Sequence, residues 1–168
     1  MNIENYHVDS PYPKISGLSP NNKQAKLLME GYSGQTSELS TVTQYAFHKI
    51  KCMRNKEIYD TLQGIFLVET HHLELLGNCI NMLGVEPYYK MSIIHKSISW
   101  QADVINYENT IKEMILTDIE GEKQAVKYYE ETANIIGNEK IRVLLLRLAE
   151  DEKLHVKIFT DLYNRYFM

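Results

Sequence analysis

The sequence predicts an all-α fold: a four-helix bundle of two antiparallel hairpins joined by a long crossover, with an extended N-terminal arm. Three observations predict it. Four long stretches carry apolar residues at the 3.6-residue spacing of an amphipathic helix. Strand-like alternation is almost absent. The connections run short, long, short; a short link makes antiparallel neighbours, and a long one crosses from one end of a bundle to the other.

The early prolines Pro11, Pro13 and Pro20 make residues 1–18 an extended arm, and residues 19–168 form the bundle domain. Ser19-Pro20 reads as a cap followed by proline at the first helical position. The first pattern runs from there to about Met53, and Gly31 and Gly34 either kink it or split off a short leading helix. The second runs from about Lys56 to Leu83 on a stripe of Leu62, Ile65, Phe66, Leu73, Leu76, Ile80 and Leu83, with Gly84 as its stop. Residues 85–103, with Pro87 and the only tryptophan, Trp100, are too long for a tight turn and have room for a short helix. The third pattern runs from near Asn106 to Gly137 with Ile111, Ile115, Ala125, Ala133 and Ile136 on its stripe. Asn138 caps the fourth, which carries Ile141, Leu144, Leu145, Leu148, Phe159 and Leu162.

A chain of 168 residues can bury a core unaided. At 44% hydrophobic and 24% charged it is globular rather than disordered. The net charge of -4 and the lack of a concentrated basic stripe exclude nucleic acid as the expected partner. No apolar run approaches the roughly 20 residues of a membrane span. The N-terminus lacks the basic-then-apolar order of a signal peptide. Cys52 and Cys79 stand apart with no C-x-x-C pair, which argues against a disulfide framework, a zinc ribbon or an iron–sulfur module and for a reduced, cytoplasmic setting.

Charged residues interrupt the buried stripes in a pattern. Glu69 lies three residues after Phe66 and His72 three after Glu69, so both continue the stripe of the second helix, whereas His71 points elsewhere. Glu152 and His155 repeat the arrangement on the fourth helix, giving two copies of Glu-x-x-His: ETHH, 69–72, and EKLH, 152–155. The first and third helices add Glu38 and Glu122. The separations match, 31 positions from Glu38 to Glu69 (69 − 38) and 30 from Glu122 to Glu152 (152 − 122). Tyr45 and Tyr129 each follow their glutamate by 7 (45 − 38 and 129 − 122), so the chain reads as two related hairpins.

Four carboxylates converging in a core repel one another, and burying even one unpaired costs several kcal/mol. No lysine or arginine shares those stripes near the four positions. Two divalent cations balance the charge, since the two histidines are neutral as ligands. Carboxylate oxygen with imidazole nitrogen suits iron, manganese or zinc better than calcium or copper(I). The expected metal ligands are therefore Glu38, Glu69, His72, Glu122, Glu152 and His155, the set known from di-iron and di-manganese carboxylate bundles.

On GQTSELSTVTQY (34–45), VETHHLELLGNCINMLG (68–84), DIEGEKQAVKYY (118–129) and LAEDEKLH (148–155), the chain resembles the ferritin-like superfamily over about residues 19–166, closest to its rubrerythrin, bacterioferritin and manganese-catalase branches. The resemblance implies that Glu38, Glu69 and His72 serve one metal and Glu122, Glu152 and His155 the other, with Glu69 and Glu152 bridging. It implies two Fe or two Mn ions, or a mixed pair, and an oxidoreductase acting on O2 or H2O2, ferroxidase- or peroxidase-like. Manganese catalase activity and iron sequestration without turnover are the alternatives, and a homodimer is expected. Where rubrerythrins carry a further glutamate this chain has Ala125, and with two cysteines no rubredoxin iron is expected.

Around the ligands, Asp151 either orients His72 from the facing helix or faces solvent. Val68 holds the corresponding place on the second helix, so His155 needs a different partner. Tyr45 and Tyr129 either hydrogen-bond metal ligands or are ordinary core aromatics. Asp118, one turn before Glu122, is a weaker candidate to support a ligand. His48, His71 and His95 read as surface or packing residues. Met29, Met53, Met82, Met91 and Met114 read as core filler rather than a haem box, and neither haem nor flavin is expected.

Overall fold

The computed structural model describes residues 3–93 and 96–168, so His95 lies outside the described residues. After the arm come α1 (Asn22–Ser33), α2 (Glu38–Lys51), α3 (Lys56–Met82), β1 (Lys90–Ile93), β2 (Lys96–Ser99), a 3-10 turn (Ala102–Val104), α4 (Ile111–Ile135) and α5 (Glu139–Phe167). The four long helices α2–α5 form the bundle. α2 packs on α3 and α4 on α5, as the short links require, while α1 lies against α2, α3 and α4.

Polar side chains fix the helix starts. Asn21, Ser37, Asn55, Thr110 and Asn138 each accept from backbone N–H groups one turn on, and Thr110 forms a reciprocal box with Glu113. Gly84 (φ 82°) and Gly137 (φ 69°) follow α3 and α4 in a left-handed backbone that a side chain would strain.

Two boundaries differ from the sequence reading, and one of its alternatives is decided. The first pattern splits, as its glycines allow: the Gly34 N–H bonds Glu30 O at 2.9 Å to close α1, and Ser37 restarts the chain as α2. Asn21, not Ser19, caps α1. The third helix begins at Ile111, because Thr110 supplies the cap and the preceding segment is occupied elsewhere. The crossover holds an antiparallel hairpin, with Met91 opposite Ile98, before its short 3-10 turn. Its strands of four residues are too short to display an alternating pattern. Among the described residues, no helix is long and apolar enough to cross a membrane.

The core has two apolar layers. One gathers Leu28, Leu76, Ile80, Leu83, Ile141, Leu144 and Leu148; the other gathers Ile58, Leu62, Ile65, Met114, Ile115, Phe159 and Leu162. Along α3 the polar pair Glu69 and His72 falls between Ile65 and Leu76, and along α5 Glu152 and His155 fall between Leu148 and Phe159. A polar layer is therefore sealed above and below by hydrocarbon. Leu144 is fully buried, and Leu144→Ala should lower the unfolding free energy by about 2–5 kcal/mol in a urea titration.

Candidate metal centre

The structure brings all six expected side chains into that layer. Glu38, Glu69, His72, Glu122, Glu152 and His155 are each at most 4% exposed. They form two clusters, one of Glu38, Glu69, His72 and Glu152 and the other of Glu69, Glu122, Glu152 and His155, so Glu69 and Glu152 belong to both. His72 Nδ1 lies 3.0 Å from Glu152 Oε1, 3.4 Å from Glu69 Oε2 and 3.9 Å from Glu38 Oε1. His155 Nδ1 lies 2.7 Å from Glu69 Oε1, 3.0 Å from Glu152 Oε2 and 3.6 Å from Glu122 Oε2. Both imidazoles turn Nδ1 inward and Nε2 outward.

The tyrosines cross between helices. Tyr129 on α4 donates to Glu38 Oε1 on α2, and Tyr45 on α2 donates to Glu122 Oε1 on α4. Antiparallel α2 and α4 make this exchange possible: two turns after its own glutamate, each tyrosine stands level with the other's. Asp151 is buried and its Oδ2 lies 3.1 Å from His72 Nε2.

Electrostatics without an ion are strained. Burial first, and then the charges of Glu69 and Glu152, hold Glu38 well above the usual carboxylate range. Burial and Glu69 do the same to Glu122. Burial alone would lower both histidines, but Glu152 at His72 and Glu69 and Glu122 at His155 raise them well above 6.5. Burial opposes ionisation of Glu69 too, yet the two histidines bring it well below 4.5. The metal-free layer therefore keeps protons on some of its members to offset repulsion. Glu38 Oε2, Glu69 Oε1, His72 Nδ1 and Glu152 Oε1 are buried and make no hydrogen bond of acceptable geometry. Such atoms are costly unless something else occupies their lone pairs. An oxygen–nitrogen donor set with free inward lone pairs fits a pair of divalent first-row cations.

Residues 12–91 match the family model for manganese containing catalase, and residues 113–168 match that for rubrerythrin. A manganese catalase from Anabaena superposes with a TM-score of 0.83 at 24% identity, over 95% of this chain and 79% of that one. The chain is a ferritin-like bundle. Bacterioferritins from Mycobacterium tuberculosis (TM-score 0.73, 18% identity, 88% of each chain) and Desulfovibrio desulfuricans (0.71, 17%, 85% of this chain and 79% of that one) share the fold. No curated protein matches the sequence.

Several parts of this ferritin-like bundle escaped the sequence reading. The arm packs against the histidine side of the layer: His155 Nε2 lies 2.8 Å from Tyr6 O, and Asp151 accepts from the Val8 N–H at 2.8 Å and from the Tyr12 hydroxyl at 2.6 Å. Arg147, beside the stripe of α5, is a buried cation that the sequence reading passed over. It is 7% exposed with Nη1 2.7 Å from Asp151 Oδ1, and this local pair leaves the charge of the four glutamates unanswered. His48 is fully buried, with Nδ1 2.9 Å from Asp118 and Nε2 3.1 Å from Asn106 O. Gln44 also donates to Asp118 at 2.8 Å, so Asp118 serves that network and hydrogen-bonds none of the six. His71 is exposed. Met91 and Met114 are buried as core filler, while Met53 is 69% exposed. The signal for Arg147 was its place one turn before Asp151 on α5.

Proposed function

We propose that this protein is a dinuclear manganese or iron oxidoreductase that disproportionates hydrogen peroxide, in the manner of a manganese catalase. The two overlapping donor clusters sharing Glu69 and Glu152 carry this reading. The matches to manganese containing catalase and to the Anabaena enzyme's fold support peroxide as the oxidant. Glu38, Glu69, His72 and Glu152 would hold one ion, and Glu69, Glu122, Glu152 and His155 the other, with Glu69 and Glu152 bridging. When bound, the metal pair supplies two-electron redox chemistry. One peroxide is oxidised to O2 and a second reduced to two waters, so electrons and protons balance within the substrate pair and no separate electron donor is needed. The free, buried Cys52 and Cys79 support a reducing, cytoplasmic location.

The chain's own work is to position groups and exclude water. Tyr129 and Tyr45 each hold one oxygen of a terminal glutamate. Burial, and then the charge of Glu122, push the Tyr45 hydroxyl well above 10, so it remains a donor throughout the working range. The apolar layers exclude bulk water, which strengthens every charge contact between them. On the carboxylate side a cavity of about 10 Å³ is bordered by Thr36, Glu38, Thr41, Glu69, Glu122 and Ala125. That volume suits one water-sized molecule. Thr36 and Thr41 also border a larger groove of about 400 Å³ between α2 and α4, so these two side chains stand between that groove and the small cavity.

Loading the metal-free protein with Mn²⁺ and adding H2O2 at an oxygen electrode tests the reading. Sustained O2 evolution supports it, and none from either the Mn or the Fe form rejects it. A second reading, favoured by the rubrerythrin match and the bacterioferritin folds, is oxidation of Fe²⁺ by O2; it calls for Fe²⁺-dependent O2 uptake without peroxide breakdown. Iron sequestration without turnover would give Fe²⁺ binding and neither gas signal. Ala125→Val, which crowds the small cavity beside Glu69 and Glu122, should slow turnover per bound metal pair by roughly tenfold or more, about 1.4 kcal/mol of barrier, with metal content read by atomic absorption.

A further inference from the structure

The N-terminal arm touches both histidines of the layer on the side away from the carboxylates. A histidine that binds metal through Nδ1 carries its single proton on Nε2, and the acceptor of that proton sets both tautomer and ring orientation. For His155 the acceptor is the Tyr6 backbone carbonyl at 2.8 Å. For His72 it is Asp151 Oδ2 at 3.1 Å, and Asp151 is in turn held by the arm: the Tyr12 hydroxyl at 2.6 Å on Oδ2 and the Val8 N–H at 2.8 Å on Oδ1.

The bundle has sites shaped for this segment. The Tyr6 ring lies against Gly64 of α3, where a Cβ would come within 2.2 Å of a ring carbon. Arg147 donates through Nε to Ser10 O at 2.7 Å and through Nη2 to Val8 O at 2.9 Å, and its guanidinium sits 4.2 Å from the Tyr12 ring centroid. The Tyr12 ring meets the His71 ring edge-on with centroids 4.9 Å apart. Arg147 and Asp151 neutralise each other, so the docked arm orients the histidines without adding net charge to the layer.

We propose that residues 6–12 are a clamp for the metal centre. Tyr12 is a positioning residue for His72 through Asp151, and the Tyr6 carbonyl positions His155. Docking of the arm and loading of the ions are then thermodynamically coupled, and the coupling runs both ways: a docked arm tightens metal binding, and bound metal tightens the arm. The proposal rests on the dinuclear metal reading and adds to it a dependence of each ion on a different part of the arm.

Two conservative substitutions in the full chain separate the two halves. Tyr12→Phe removes one hydroxyl and keeps the ring under Arg147. Gly64→Ala adds a methyl that displaces the Tyr6 ring, at a helix-interior position where alanine is otherwise favoured over glycine. Mn²⁺ titration calorimetry reads both dissociation constants, and hydrogen exchange reads the amides of residues 6–12. Tyr12→Phe should weaken one ion by about 10–100-fold, Gly64→Ala should weaken the other by a similar factor, and the double variant should weaken both. In the parent chain, Mn²⁺ should slow exchange of the Val8 amide. A merely structural arm would lower both affinities together or neither. If the parent chain binds two Mn²⁺ while both variants bind as it does and Val8 exchange is indifferent to metal, the clamp is refuted and the metal centre stands. If the parent chain binds no metal, both fall.

Discussion

Saturating the metal-free protein with Mn²⁺ or Fe²⁺, with free ion in large excess over Kd, should raise its melting temperature by roughly 15–30 °C. An ion that binds only the native state stabilises it by about 4 kcal/mol when its free concentration is 1,000-fold above its Kd, and two sites double that. In a chain of this size each kcal/mol is worth about 2–4 °C. The effect is large because the metal-free layer is poorly satisfied: four fully buried atoms of Glu38, Glu69, His72 and Glu152 lack hydrogen bonds, and protons must be held on buried carboxyls. Calorimetry with and without a chelator measures the difference. A shift of under about 2 °C, worth no more than 1 kcal/mol, would mean the donors are not organised for cations.

Raising the pH from about 5 to 8 should destabilise the metal-free protein, and replacing Glu38 or Glu122 by glutamine should blunt that loss. The sign follows from the shifts. Glu38 and Glu122 have native values well above 4.5, so between 4.5 and those values the native state binds protons that the unfolded chain does not. Stability then falls as pH rises, by about 1.4 kcal/mol per pH unit for each such proton. His72 and His155, raised above 6.5, contribute stability that is complete below 6.5 and is lost as pH climbs through their native values, which steepens the decline. Glu69 and Asp151 act on the acid side. Burial would raise both, but the histidines hold Glu69 well below 4.5, and hydrogen bonds from His72, Tyr12 and Val8 help hold Asp151 at about 2. Their stabilisation is present above the ordinary carboxylate value and is lost in acid, so the metal-free protein is most stable just above the ordinary carboxylate range. Glu38→Gln is neutral at every pH, which makes the metal-free protein more stable at pH 8 and costs it a metal ligand. Urea midpoints from pH 4 to 8 check this, and a midpoint that rises between pH 5 and 8 would contradict it. With metal present the trend reverses, because binding releases those protons.

What the sequence makes legible here is register. Glu69 with His72 and Glu152 with His155 stand three apart on apolar stripes, and helical geometry alone puts each pair on one buried face. Equal spacing of Glu38 and Glu122 from those motifs then suggested convergence. The equal offsets of Tyr45 and Tyr129 pointed to a shared role, but not to the exchange by which each reaches the other hairpin's glutamate, because that depends on which helices face each other. The arm left no trace of its role: Tyr6 acts through a carbonyl, which every residue carries, and Val8 through an amide N–H, which every residue but proline carries. Arg147 meets Ser10 across 137 positions of chain, a pairing no local pattern encodes. The His48–Asp118–Gln44 network was hidden for a similar reason: Asp118 stands out one turn before Glu122, but nothing local shows that His48 and Gln44 on α2 are what it meets.

Anomalous diffraction from crystals of the metal-loaded protein, recorded at the manganese and iron edges, places the ions directly. Two peaks between Glu69 and Glu152, one beside His72 and one beside His155, are the expected result. A single peak elsewhere, or no peak from protein loaded anaerobically with either metal, would leave the buried carboxylate–histidine layer without the role assigned to it.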